Sequence, residues 1–306
     1  MATNTMFPKI TPDERPLDNS AVSKTPLHPT PKFRLQIHDL RHPSSHFFLS
    51  LIPDLASTLE TALTAIIQNL YTPPGPGKQK LAPTFEPCLP PTRSVSVLLR
   101  DIGGVAYTTG KELDNDHKEI HISLQYIQHC RSKADPLAEL TGVLTHELVH
   151  CYQYAAPRAS SDGKPDGSTP RAPGGLIEGV ADFVRLKAGL EPPHWNRPSS
   201  AKERPEKWDS GYQHTAYFLA WLEDVQVGKG AVGMLNDRLC RIGYVGEDKS
   251  KDKNEKDLST ESDRARGFWK GLFGAEIDEL WEEYGNWLDT TPSNQGNWED
   301  EIVHPV

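Results

Sequence analysis

GVLTHELVHCYQY, residues 142–154, decides how the rest of this 306-residue chain is read. Around it, residues 136–154 carry Leu137, Leu140, Val143, Leu144 and Leu148 at three- and four-residue spacing, which predicts a helix. Four residues along a helix advance about 6 Å and slightly more than one turn. His146 and His150 therefore project from one side and can share a metal ion, with Glu147 beside them but outside the ligand set. A zinc ion lowers the pKa of a coordinated water toward ~7, and a neighbouring carboxylate can take its proton as it attacks a carbonyl. The H-E-x-x-H spacing supplies these parts.

Two histidines do not complete such a site, which needs a third protein ligand. Downstream, GGLIEGVADFVRLKAGL (residues 174–190) places Glu178 and Asp182 four apart on a second predicted helix, opened by Gly174–Gly175 and ended by Gly189. Their neighbours Leu176, Ile177, Val180, Ala181, Phe183 and Val184 are apolar, and carboxylates in such surroundings need partners or a metal. Glu178 can complete a His₂Glu set. Asp182 can accept the N–H of a ligating histidine and fix its tautomer.

Working toward the N-terminus, residues 119–124 (EIHISL) alternate apolar and polar and predict a half-exposed edge strand. Residues 94–99 (SVSVLL) predict a buried strand, and Gly103–Gly104 a turn into another short one. Residues 32–38 alternate as a strand. Phe48, Ile52, Leu55, Leu59, Leu63, Ile66 and Leu70 predict one helix starting near residue 52, with Pro53 in its first turn. Toward the C-terminus, helices are predicted near residues 211–224, with Tyr217, Phe218, Trp221 and Leu222 facing the core, and near 275–288. Trp208, Trp221, Trp269, Trp281 and Trp287 are expected to pack this half. Strands come first and helices second, which predicts α+β rather than a doubly wound sheet.

Three divisions follow: a Pro-rich disordered arm (1–31), a catalytic domain (32–290) with flexible insertions at 157–173 and 245–263, and a tail (291–306). With 33 Lys+Arg against 42 Asp+Glu, the formal charge is −9, and no basic stripe offers itself to nucleic acid. No apolar run is long enough to span a membrane, and no secretory signal is visible at the N-terminus. Cys88, Cys130, Cys151 and Cys240 form no C-x-x-C pair and read as reduced thiols. A monomeric, cytoplasmic protein acting on a peptide or protein is the expectation, with no nucleic-acid or membrane partner.

The segments GVLTHELVHCYQY, APGGLIEGVADFVRLKAG, PPHW, KWDSGYQHTAYFLAWLE and GLFGAEIDELWEEYGNWL resemble the basic secretory protein family of plants and fungi, within the gluzincin metallopeptidases. GVAYTTG and EIHISLQYI resemble its N-terminal strands, so the likeness covers roughly residues 32–290. The family's name describes basic, secreted members, whereas this chain is acidic and lacks a visible signal. The resemblance implies a zincin-like fold with an N-terminal mixed sheet, an active-site helix and a mostly helical C-terminal half. It implies a zinc-dependent peptidase with His146, His150 and Glu178 on Zn²⁺, Glu147 as general base and Asp182 behind a ligand. It also offers Tyr212, and after it His214, as oxyanion donor, and sets His121 on the strand bordering the cleft. His194 and Trp195 match the family without an assigned role. The alternative is a zincin-fold binding or defence-related protein that holds zinc with little turnover.

Overall fold

In the computed structural model, the described residues are 30–73, 85–157, 171–245 and 267–291. Most of the arm, both insertions and the tail read from sequence lie outside them. β2 (Ser94–Arg100) is buried on both faces through Leu99. It lies between β1 (Lys32–Ile37) and β4 (His117–Ser123), parallel to both, with Leu35 and Ile120 opposite Val97. β3 (Ala106–Gly110) runs antiparallel to β4, so the sheet order is β1-β2-β4-β3.

EIHISL is therefore an inner strand, not an edge. Its polar side chains are covered from β3: the Tyr107 ring stacks on His121 at 4.5 Å, and Lys111 pairs with Glu119. Alternation reported a polar face, which neighbouring side chains can cover as well as water can. Among the described residues β3 ends the sheet on the side where α4 packs.

The helix expected from residue 52 is α2 (Leu55–Leu70), which starts three residues later, and a separate helix not expected from sequence, α1 (Pro43–Leu51), precedes it at a bend of 64°. Pro53 drives Ile52 out of the helical region (φ −121°, ψ 75°). Asp54 then caps α2 by accepting from the Ser57 N–H at 3.0 Å. Among the described residues no single helix is long and apolar enough to cross a membrane. Leu59, Ile66 and Leu70 of α2 are wholly buried, each such side chain stabilising the fold by about 1.5–3 kcal/mol.

A short α3 (Leu124–Cys130), capped by Ser123, leads to α4 (Pro136–His150). Asp135 accepts from the Ala138 N–H at 2.9 Å and Pro136 occupies the first turn, a pre-set helix start. α4 packs on β3, β4 and α2 and is buried from Gly142 to Val149, whereas Leu137, expected in its apolar face, is exposed. It stops at His150 rather than Tyr154. The N–H groups of Tyr152 and Gln153 both turn back to the Val149 carbonyl at 2.8 Å, tightening the chain into a turn.

α5 (Gly174–Lys187) and α6 (Tyr212–Trp221) follow, α6 running on through a wide π turn at Leu222–Gln226. Then come α7 (Ala231–Arg241), α8 (Phe268–Phe273) and α9 (Ile277–Thr290). α3, α7 and α8 were not expected from sequence. Trp221, Trp269 and Trp281 are buried around Phe218, with Trp208 and Trp287 half-buried against them, as expected for a packing role. The architecture is α+β, with the strands first and helices making up the C-terminal half.

Candidate metal centre

α4 and α5 lie side by side, and the sequence of α5 sets how closely α6 joins them. A side chain at Gly175 would collide with the Asp209 carbonyl, and one at Gly179 with Thr215. Glycine at both positions lets the chain entering α6 rest on α5. Thr215 fixes that entry: its hydroxyl accepts from the Gly211 N–H at 3.0 Å and donates to the Trp208 carbonyl at 2.8 Å. Gly211 (φ 85°) and Tyr212 (φ 47°) both take left-handed backbone there. For a bulky side chain that conformation is costly, and such strain gathers at functional sites. It holds the Tyr212 ring near-parallel to His146, centroids 6.1 Å apart.

Glu178 of α5 faces the two histidines of α4. The His146 and His150 Nε2 atoms are 3.1 Å apart, and Glu178 Oε2 lies 3.0 Å from the first and 3.6 Å from the second. Donors bound about 2.0–2.1 Å from a tetrahedral ion stand about 3.3 Å from one another. The three separations bracket that value, so the trio fits a metal ion with two nitrogens and one carboxylate oxygen. Behind it, Asp182 Oδ1 is 2.7 Å from His146 Nδ1, and the Gln153 side-chain amide is 2.6 Å from His150 Nδ1.

Burial works against charge on His146, but the hydrogen bonds of Asp182 and Glu178 outweigh it and lift the imidazole to about 9. Burial likewise opposes charge on Glu178, and its hydrogen bonds to His146 and His150 reverse this, drawing the carboxyl down to about 2. The Tyr212 phenol is pushed up, first by the Glu178 charge and then by partial burial, so it keeps its proton at neutral pH.

Glu147 is buried, lies outside the trio and reaches β3 with its carboxylate. The Thr108 hydroxyl lies 2.6 Å from its Oε2 and 2.9 Å from its carbonyl oxygen, and its single proton can serve either. All five residues, with Tyr212, line a cavity of about 760 Å³ between β3 and α5, whose walls include Tyr107, Val143, Arg185 and Trp195.

Every residue assigned to the site from sequence thus lies at one cavity. Other candidates separate. His121 is 4% exposed beneath Tyr107, with Arg100 Nη1 3.1 Å from its Nδ1, and does not line the cavity; nor does His214. His194 and Trp195 do line it. Sequence reasoning missed Thr108, which only strand register brings to Glu147. It also missed Gln153, whose three-residue spacing from His150 was the available signal.

Comparison with known proteins returns one family: the model described as "Peptidase of plants and bacteria" matches residues 30–284. No curated protein and no solved structure matches the chain.

Proposed function

The chain belongs to this family of peptidases of plants and bacteria, and from that premise we propose that it is a zinc metallopeptidase of gluzincin type with a zincin-like fold, allied to the basic secretory proteins. The observation that carries the reading is the convergence of His146, His150 and Glu178 at 3.0–3.6 Å with a carboxylate beside them that is not a donor. Imidazole nitrogens with one carboxylate suit zinc. Zinc held there would supply Lewis acidity and an acidified water at neutral pH.

The chain's own groups do the rest. Glu147 takes a proton from the attacking water at a carboxylate oxygen and returns it to the departing amine nitrogen. Thr108 keeps that carboxylate at the β3 side of the cavity. Asp182 holds the proton of His146 at Nδ1 and so frees Nε2. The neutral Tyr212 hydroxyl donates to the oxyanion as charge develops on the scissile carbonyl oxygen. The substrate is a peptide or protein segment lying in the cavity.

The test is metal analysis of purified protein coupled to a chelator-sensitive digest of a defined peptide. Glu147→Gln should retain zinc and lose at least ~10²-fold in turnover, the scale of a lost general base. Wild-type turnover in the zinc-loaded variant would remove Glu147 from the mechanism. Zinc without chelator-sensitive turnover in the wild type would leave a metal-holding binding protein instead.

A further inference from the structure

The two histidines are supported by different chemistry. His146 Nδ1 meets a carboxylate, while His150 Nδ1 meets the amide of Gln153, with Nε2 of that amide 2.6 Å away. The other amide atom, Gln153 Oε1, is buried and has no hydrogen-bond partner. A half-turn about the last side-chain bond exchanges the two atoms within nearly the same shape. In one orientation the NH₂ donates to Nδ1, which forces the ring proton of a neutral His150 onto Nε2. In the other, Oε1 accepts the proton from Nδ1, and the Nε2 lone pair is free to face His146 and Glu178. Only the second lets a neutral imidazole donate to an ion.

The backbone around Gln153 is held from three sides, which fixes where its amide can reach. Its own N–H bonds to the Val149 carbonyl at 2.8 Å. The Tyr71 hydroxyl, just past α2, donates to the Tyr152 carbonyl. The Tyr154 N–H donates to Asn236 Oδ1 of α7 at 2.9 Å, and its hydroxyl to the Cys88 carbonyl at 3.0 Å. Such anchoring is what a group needs if it is to orient a ligand rather than follow it.

We propose that Gln153 is the positioning residue of His150: its Oε1 accepts the Nδ1 proton and thereby sets the tautomer in which Nε2 can hold the metal. An amide does this without adding a further negative charge to a centre that already carries Glu147, Glu178 and Asp182. The proposal rests on the metal-site reading above, and its test reads metal binding rather than hydrolysis.

The experiment titrates zinc into metal-depleted full-length protein by competition calorimetry, for wild type, Gln153→Leu and Gln153→Glu, with thermal melts of the same metal-depleted samples. Loss of the acceptor in Gln153→Leu should weaken zinc binding roughly 10–100-fold, with the metal-depleted melting temperature near wild type. Gln153→Glu keeps an acceptor and gives up the donor, so it should bind zinc at least as tightly as wild type. Wild-type affinity in a folded Gln153→Leu overturns the proposal and leaves the metal centre standing. Weakened binding in Gln153→Glu overturns it too, even should the leucine variant fail to fold, because the donor face would then be the one that matters. A wild-type chain that takes up no zinc sinks both this proposal and the reading beneath it.

Discussion

Two parts of the molecule set carboxylates among apolar helices, and they use them in opposite ways. At the end of α6, Glu223 is 4% exposed and accepts from the N–H groups of Gly230 at 2.6 Å and Val232 at 3.0 Å, capping the start of α7. Its neighbour Asp224 holds the Lys187 ammonium. Those oxygens are directed at donors of the chain itself. Between α4 and α5, Glu178 and the two imidazoles instead point at one another. The titration behaviour divides the same way. Burial outweighs the backbone bonds to Glu223 and raises its carboxyl to about 7, whereas the histidines draw Glu178 down to about 2. A buried carboxylate by itself signals only that a partner has been found. Convergence of donor atoms on a shared point is what distinguishes a site.

The sharpest way to break that distinction is to truncate one carboxylate from each region. Glu178→Ala should abolish measurable zinc binding while the metal-depleted fold stays near wild type. Asp182→Ala, acting through His146, should cost only about 10–100-fold in affinity. Glu223→Ala should do the reverse, leaving two buried N–H groups unpaired at roughly 1–3 kcal/mol each, with the folded fraction still binding zinc normally. Calorimetry and denaturant unfolding on the three variants decide it; an inverted order for Glu178 and Asp182 would exchange their roles.

Tyr212→Phe probes the same seam more gently. The ring and its stacking on His146 remain and only the donor is lost. Turnover should fall by roughly 10²-fold with substrate binding and zinc content unchanged, as for an interaction made in the transition state. An unaltered kcat on a defined peptide would assign Tyr212 to packing alone.

The most gradual effect belongs to Glu223 and pH. Its folded pKa is raised above the ordinary carboxyl value of 4.5, so its contribution to stability is complete below that value and is lost as pH rises through about 7. Relative to Glu223→Gln, wild-type stability should therefore decline across this window, by on the order of 1 kcal/mol per pH unit. Parallel unfolding curves with no such slope would mean that the two backbone donors fully offset the burial.

That His146 and His150 share one side of α4, and Glu178 and Asp182 one side of α5, was legible because helical spacing can be counted along a chain; that the two pairs meet depends on the packing of α4 on α5. Thr108 was not, since its approach to Glu147 depends on the antiparallel register of β3 and on α4 packing over that strand. α7 was overlooked although its buried Val232, Leu235 and Leu239 do recur at helical spacing. α3 and α8 are too short, at seven and six residues, to show a period at all. Pro53 was placed inside the first turn of α2, whereas the proline restriction ends α1 before it and the Asp54 cap begins α2 after it; α1 itself went unrecognised.

The three residues that could hold a metal ion are unevenly spaced along the chain. Two come from one turn of α4, and the third lies 28 positions beyond His150. An ion gripping all three closes a ring of that length without a covalent bond. By the chain-entropy account of cross-links, such a ring limits the freedom of the unfolded chain by about 3–4 kcal/mol. A chelator would release that constraint at the α4–α5 seam and leave the sheet's own pairings untouched. A backbone cut anywhere between the two helices would leave its halves clasped for as long as the ion stayed in place.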